Sequence, residues 1–337
     1  GCIVAGLAGS SYLGFVVGFG IFGGIGIGFG YAAATPAAVK WFPASKTGLI
    51  AGLVVAGFGL ASVYIAPTAQ ALLAAYGVSG TMIIFGVAFL VIVVTLAQFL
   101  RNPPEGYIPI DHKADLRPKH IAASRPPVDM DWHQMIRTSH FWLLWIMYVF
   151  GAAAGLMVIG SAASMAKASL GEAAFVAVAI LAIGNASGRI LAGVVSDRIG
   201  RQMTLFIAFL IQSVMVLIPL YFGNHAVALL LAVLMIGACY GANLTLFPSA
   251  TKDNFGLKSF GMNYGVMFTA WGVGGLILPR IAGMVKDYTG KEDMAFYIAS
   301  ALMVCGAILA LVNMGIARGQ RSNKHRRHFH GHHPAGT

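Results

Sequence analysis

The sequence predicts an all-α, polytopic membrane protein, and three observations carry that prediction. Of 337 residues, 58% are hydrophobic and only 10% charged, with a mean hydropathy of +0.78, whereas a soluble domain carries about 25% charged residues. Apolar runs recur at the roughly 20 residues that a helix needs to cross a bilayer. Lys and Arg are sorted to one side of those runs, so the net charge of +11 reads as membrane topology and not as a nucleic-acid surface.

The runs come in order. Residues 1–9 read as the end of one helix, and full spans follow at 11–39, 48–75, 80–100, 138–165, 172–196, 202–222, 225–250, 259–285 and 294–317. The chain opens at Gly1 inside an apolar run, with no initiator Met and no charged leader, which predicts a fragment lacking its true N-terminus. Cys2, Cys239 and Cys305 all sit in apolar runs without paired spacing, so packing is expected of them, and neither a disulfide nor a metal site. No cofactor is implied.

Residues 101–137 interrupt the pattern. RNPPEGYIPIDHKADLRPKHIAASRPPVDMD is polar and proline-rich, which predicts a linker between two helical halves. The expected organisation is 1–100 as the remainder of an N-terminal half, 101–137 as linker, 138–318 as a six-helix C-terminal half and 319–337 as a basic, His-rich tail. If the halves match, two helices and most of a third are missing from the front. With the linker placed in the cytoplasm, that side gains the turns near 40–47, 197–201 and 251–258 and the tail. Seventeen Lys and Arg then face inward, against Lys167, Lys286 and Lys291 outside, a strong positive-inside bias. The tail, RSNKHRRHFHGHHPAGT, reads as a basic segment near anionic lipid headgroups, with no helical spacing that fixes metal ligands.

An internal repeat supports the two halves. FPASKTGLIAGLVVAGFGLASVYIAP (42–67) and LKSFGMNYGVMFTAWGVGGLILP (257–279) each start at a basic turn, cross a Gly-rich stretch and reach a Pro. Parallel repeats about a linker are a transporter architecture. Glycines cluster at 18–30, 52–59 and 271–275, where small residues allow close helix packing in lipid.

Two features point to chemistry. GVVSDRIGRQ (193–202), which opens at Gly193, is a charged turn between two spans: Asp197 begins it, Arg198 and Arg201 flank it, and Gly200 permits the reversal. Asp197 can cap a helix N-terminus and pair with a nearby Arg, latching helices together until they rock apart; the plainer reading is a solvated turn. Arg189 lies about seven residues from the inner end of its span, about 10 Å deep. A central Arg costs about 2.5–3.5 kcal/mol on insertion scales, so it needs a polar surrounding and partners. All eleven acidic residues map to linkers, turns or span ends, so an anionic ligand is the natural counter-ion, held bidentately. The alternative is a structural Arg bonded to backbone carbonyls or to an acid in preceding helices. Asn185, one turn earlier on the same face, can steer the guanidinium.

The turn at 193–202 resembles the signature of the major facilitator superfamily, departing only at Gln202, where a second basic residue is usual. GIGIGFGYAAATPAAVKWFP (24–43), GLIAGLVVAGFGLAS (48–62), NASGR (185–189) and GMNYGVMFTAWGVGG (261–275) resemble the oxalate/formate antiporter branch, close to the monocarboxylate transporters. The resemblance implies the major facilitator fold and a substrate carboxylate on Arg189. It places Tyr31, Tyr240 and Tyr264 where related carriers line the cavity with hydroxyls. Where dicarboxylate exchangers carry a second cation, this chain has Trp271, which favours a monoanion. Where some relatives carry an acid for proton coupling, it has Asn185.

The expected function is a secondary carrier of small monocarboxylates of the formate, lactate or pyruvate type, working by anion exchange or proton symport. The alternatives are oxalate/formate exchange and a non-transporting carboxylate sensor. An intramembrane enzyme would need clustered catalytic groups at depth, and a channel a filter or charged rings; the sequence displays neither. The expected partners are a small carboxylate anion, protons under symport and membrane lipids, for a monomer in the inner or plasma membrane.

Overall fold

The computed structural model describes residues 1–9, 11–104, 106–109, 129–290 and 293–330, with the backbone alone at 62, 63, 66, 163, 168, 172 and 317–330. Lys113, Arg117, Lys119 and Arg125 of the linker, Lys291, and the end of the His-rich tail fall outside the described residues. The helices are α1 (Cys2–Leu7), α2 (Tyr12–Phe15), α3 (Gly23–Lys40), α4 (Thr47–Ala97), α5 (Trp132–Met135), α6 (Ser139–Leu170), α7 (Phe175–Ile199), α8 (Arg201–Met215), α9 (Ile218–Phe222), α10 (Ala226–Phe255), α11 (Phe260–Thr289) and α12 (Asp293–His330). Among the described residues there is no strand, and nine segments are long and apolar enough to span a membrane.

Local chemistry sets the boundaries. Asp131 and Gln134 form a reciprocal capping box at α5, and the Thr138 hydroxyl accepts the Phe141 N–H at 3.2 Å at the start of α6, each satisfying N–H groups that a helix start leaves free. The spans expected at 48–75 and 80–100 run on as the single element α4, broken at Gly77 with φ 65° and ψ −174°, a conformation that glycine alone adopts without strain. A π-helical stretch, Val16–Phe22, precedes α3.

Burial differs sharply among the spans: 61% of the most apolar stretch of α10 is buried, against 6% for Tyr12–Lys40 and for Pro67–Ala97, while Ala44–Ala61, also before the linker, reaches 44%. Close packing of α7 on α10 explains much of this. A Cβ on Gly184 or Gly188 would overlap the Leu234 or Ala238 backbone, and one on Gly237 or Gly241 would overlap Leu181 or Asn185. The glycines interlock, so two backbones approach as small-residue interfaces allow. The expectation for 18–30 needs correction. Gly18 packs on Ala5, but Gly24, Gly26, Gly28 and Gly30 face open space, so that run does not mediate helix contact among the described residues.

Both ends of the linker are fastened. The Trp41 indole N–H donates to the Arg101 carbonyl at 2.9 Å, Lys40 Nζ to Asn102 Oδ1 at 3.2 Å and the Tyr107 hydroxyl to the Trp41 carbonyl at 3.3 Å. Asp129 Oδ1 accepts the Leu257 and Lys258 N–H groups at 3.0 and 3.1 Å. The linker ends, the 40–47 turn and the 251–258 turn therefore share one end of the bundle, the linker side.

The α7–α10 interface makes a test. Gly241→Val overpacks it and costs about 1–3 kcal/mol, lowering the thermal midpoint in detergent by roughly 2–10 °C, whereas Gly26→Val, facing open space, leaves the midpoint unchanged. Equal effects at both positions would contradict this packing.

Candidate substrate site and linker-side latch

Arg189 sits where three helices crowd together. Gly188 lets α10 approach through Ala238, and Gly52 brings α4 onto the Arg189 carbonyl. The residue is 3% exposed. Because α7 runs on to Ile199, Arg189 lies ten residues from the helix end, about 15 Å, deeper than the 10 Å expected.

The guanidinium has only uncharged partners. Its Nε donates to Asn185 Oδ1 at 3.0 Å, one helical turn away as the spacing requires. Nη1 donates to the Tyr31 hydroxyl at 3.4 Å and to the Val55 carbonyl. Among the described residues no carboxylate pairs with it, the ion pairs being those of Arg201, and Nη2 makes no hydrogen bond. The expected absence of an acid and the alternative of backbone bonding thus coexist: one carbonyl is engaged, yet the charge is not neutralised.

The remaining predicted side chains join through a residue the sequence reading passed over. Phe268 stacks on Tyr31 at 4.8 Å and on Trp271 at 5.3 Å, and touches the Tyr264 ring at 5.7 Å. Phe58 stacks on the other side of Tyr31 at 4.1 Å. The Trp271 indole N–H donates to the Tyr240 hydroxyl at 2.8 Å, so the indole offers its rings, and not its donor, to the surroundings. The spacing could have found Phe268: it lies four residues after Tyr264 and three before Trp271, on one helical face. Phe58 and the Val55 carbonyl carry no sequence signal.

A second constellation lies on the linker side. Asp197 accepts the Gly48 N–H at 3.0 Å and the Leu49 N–H at 3.1 Å, so it caps α4, a helix nearly 150 positions away. Asp197 lies in the last turn of α7 and does not begin the turn as expected. It pairs with Arg201 at 2.6 Å and not with Arg198, which is exposed and without a hydrogen bond or ion pair among the described residues. Arg201 also reaches Asp253 at 2.9 Å and the Ser196 hydroxyl, and Lys252 donates to the Thr47 hydroxyl. Gly48 and Gly193 meet backbone to backbone, and Gly200, at φ 93°, makes the reversal. Lys252, Asp253 and Thr47 were missed because each belongs to a turn that looks solvated on its own.

Two clefts lie elsewhere. One of about 220 Å³ runs between α6 and α11 beside Met157, Pro279 and Lys286, and one of about 240 Å³ lies beside Lys40, Asn102 and Gly261. Arg280, on α11, is exposed.

Comparison with known proteins places this arrangement. The Major Facilitator Superfamily profile matches residues 1–279 and 149–331. An uncharacterized MFS-type transporter of Escherichia coli, YhjX, is 29% identical over 76% of this chain and 62% of its own. The oxalate:formate antiporter of Oxalobacter formigenes is 30% identical over 73% of this chain and 57% of its own. Human monocarboxylate transporter 14 is 28% identical over 40% of this chain and 26% of its own. The chain thus spans about three fifths of the length of the first two relatives. In fold it is similar to the Escherichia coli fucose:proton symporter FucP, with a TM-score of 0.65 at 18% identity over 93% of this chain and 81% of that one. The chain belongs to the major facilitator superfamily.

Proposed function

We propose that this protein carries small organic monocarboxylates across the cytoplasmic membrane by alternating access, with the linker side in the cytoplasm. The observation that carries the reading is Arg189: a buried guanidinium, deep in a membrane helix, with neutral partners only. An uncompensated cation there is costly, and a carboxylate supplies the missing charge with matching bidentate geometry. Asn185 and Tyr31 orient the guanidinium. Tyr240, Tyr264 and Trp271 complete the aromatic wall around Phe268. The similarity to an oxalate:formate antiporter and to monocarboxylate transporters supports a carboxylate cargo, moved by exchange or proton symport.

The single deep cation favours a monoanion. Trp271 commits its N–H to Tyr240, so a second carboxylate would be desolvated against an aromatic wall without a second cation to pair with. Oxalate/formate exchange is the second reading, favoured by the 30% identity to the oxalate:formate antiporter.

The Asp197 latch is the proposed inner gate. It joins α4, before the linker, to α7 and holds the cytoplasmic side shut. The similarity in fold to FucP in the outward conformation, TM-score 0.65, supports that reading. The helix-end interaction contributes about 0.3–1 kcal/mol, and each charge-assisted hydrogen bond about 1.5–3 kcal/mol, so a neutral Asn shifts the closed–open balance substantially.

Three outcomes are expected. In the full-length protein in proteoliposomes, Arg189→Ala abolishes uptake of labelled lactate and formate, and Arg189→Lys, keeping charge without the fork, retains a small fraction; wild-type uptake by either variant at similar folded yield would remove Arg189 from the site. Excess oxalate leaves lactate uptake unaffected if the cargo is a monoanion and suppresses it if exchange of dianions is correct. For the gate, Asp197→Asn lengthens the distance between spin labels at Lys46 and Arg198, both exposed; an unchanged distance distribution would rule out the latch.

A further inference from the structure

Three buried hydroxyls near Arg189 have no hydrogen-bond partner among the described residues: Thr35 on α3, Tyr148 on α6 and Tyr264 on α11. Their residues are 1%, 0% and 0% exposed. A buried polar group left unsatisfied forfeits its hydration without replacement, so each calls for a physical reason. Other unpartnered polar groups exist, but Asn243 faces Gly151 and the Phe209 ring, within the bundle formed after the linker. Tyr148 and Tyr264 lie instead beside the seam where Tyr31 of α3 meets Phe268 of α11. Tyr264 and Tyr148 touch the Phe268 ring at 5.7 and 6.2 Å, and their hydroxyls face each other without closing a bond. Thr35 follows Tyr31 by one turn on the face that stacks on Phe268.

Depth gives the arrangement a direction. Counted from the linker-side helix ends at 1.5 Å per residue, Tyr264 lies about 6 Å in, Thr35 about 8 Å, Tyr148 about 14 Å and Arg189 about 15 Å. The hydroxyls therefore run from the level of Arg189 toward the side that the Asp197 latch seals, with one wall before the linker and two after it.

We propose that Thr35, Tyr148 and Tyr264 form a hydroxyl lane, the inner continuation of the anion site, which takes the carboxylate oxygens as cargo leaves Arg189 for the cytoplasm. This rests on the alternating-access reading above. The lane is dry and unsatisfied because the seam is closed; when α3 parts from α6 and α11, the same three O–H donors line the gap. Neutral donors bind a carboxylate more weakly than a guanidinium does, so they guide the anion toward the cytoplasm without trapping it. The two phenol rings keep the seam apolar enough to close again.

Two arms test the lane. In a cysteine-free full-length chain carrying Thr35→Cys, an anionic, membrane-impermeant methanethiosulfonate applied from the linker side reacts about tenfold faster when Asp197→Asn opens the latch, the opening being checked by the Lys46–Arg198 label distance; a reaction rate that does not change on opening would overturn the proposal. In the second arm, the double variant Thr35→Val, Tyr148→Phe keeps shape and removes two hydroxyls, leaving Tyr264, which also lines the substrate site, in place. It binds labelled lactate within about twofold of wild type but turns over about 25-fold slower, about fivefold for each hydrogen bond lost; wild-type turnover would also overturn the lane. If the wild-type chain binds no lactate, the carboxylate reading fails, while the labelling arm, which needs no substrate, still decides the lane.

Discussion

The burial of one guanidinium among neutral partners organises this molecule. Arg189 is held by Asn185, the Tyr31 hydroxyl and the Val55 carbonyl, groups that satisfy donors without cancelling charge. In a membrane interior that leaves an electrostatic deficit which a mobile anion can fill and a resident carboxylate cannot release. Around that charge the proposed site is assembled: glycines admit α4 and α10 to the helix carrying it, and Phe268 joins Tyr31 to Trp271 beside it.

The same seam serves the site and the latch. Along the α4–α7 interface Gly59 meets Ala186, Gly52 meets Arg189 and Gly48 meets Gly193, and immediately beyond, Asp197 takes the Gly48 and Leu49 N–H groups. A rocking motion that frees Asp197 from the start of α4 must also move Val55 and Gly52 relative to Arg189. In the proposed cycle, occupancy of the guanidinium and closure of the linker side are therefore coupled through one stiff helix pair, with no separate relay required. Asp253 and Lys252 extend the closure to the end of α10 through Arg201 and Thr47.

Much of this was legible in the sequence, for identifiable reasons. The spans are visible because bilayer thickness dictates their length, and Arg189 because a lone cation in an apolar helix is conspicuous. Asn185 followed from helical periodicity. Long-range geometry was not visible: nothing local says that Asp197 caps a helix starting at Thr47, that Arg201 and not Arg198 is its partner, or that Phe268 ties Tyr31 to Trp271. The depth of Arg189 was underestimated because α7 continues through the charged residues that read as its end. The open face at Gly24 to Gly30 shows the converse limit, since glycine permits close packing without specifying a neighbour.

The central claim is that cargo, and no protein acid, neutralises Arg189. Solid-state NMR on the full-length carrier in lipid, with ¹⁵N-labelled arginine and ¹³C-carboxyl lactate, measures it directly. The account predicts a dipolar contact between the lactate carboxyl carbon and the guanidinium nitrogens of Arg189, lost in Arg189→Lys. A guanidinium coupled instead to an Asp or Glu side-chain carboxyl, with no lactate contact, would contradict it.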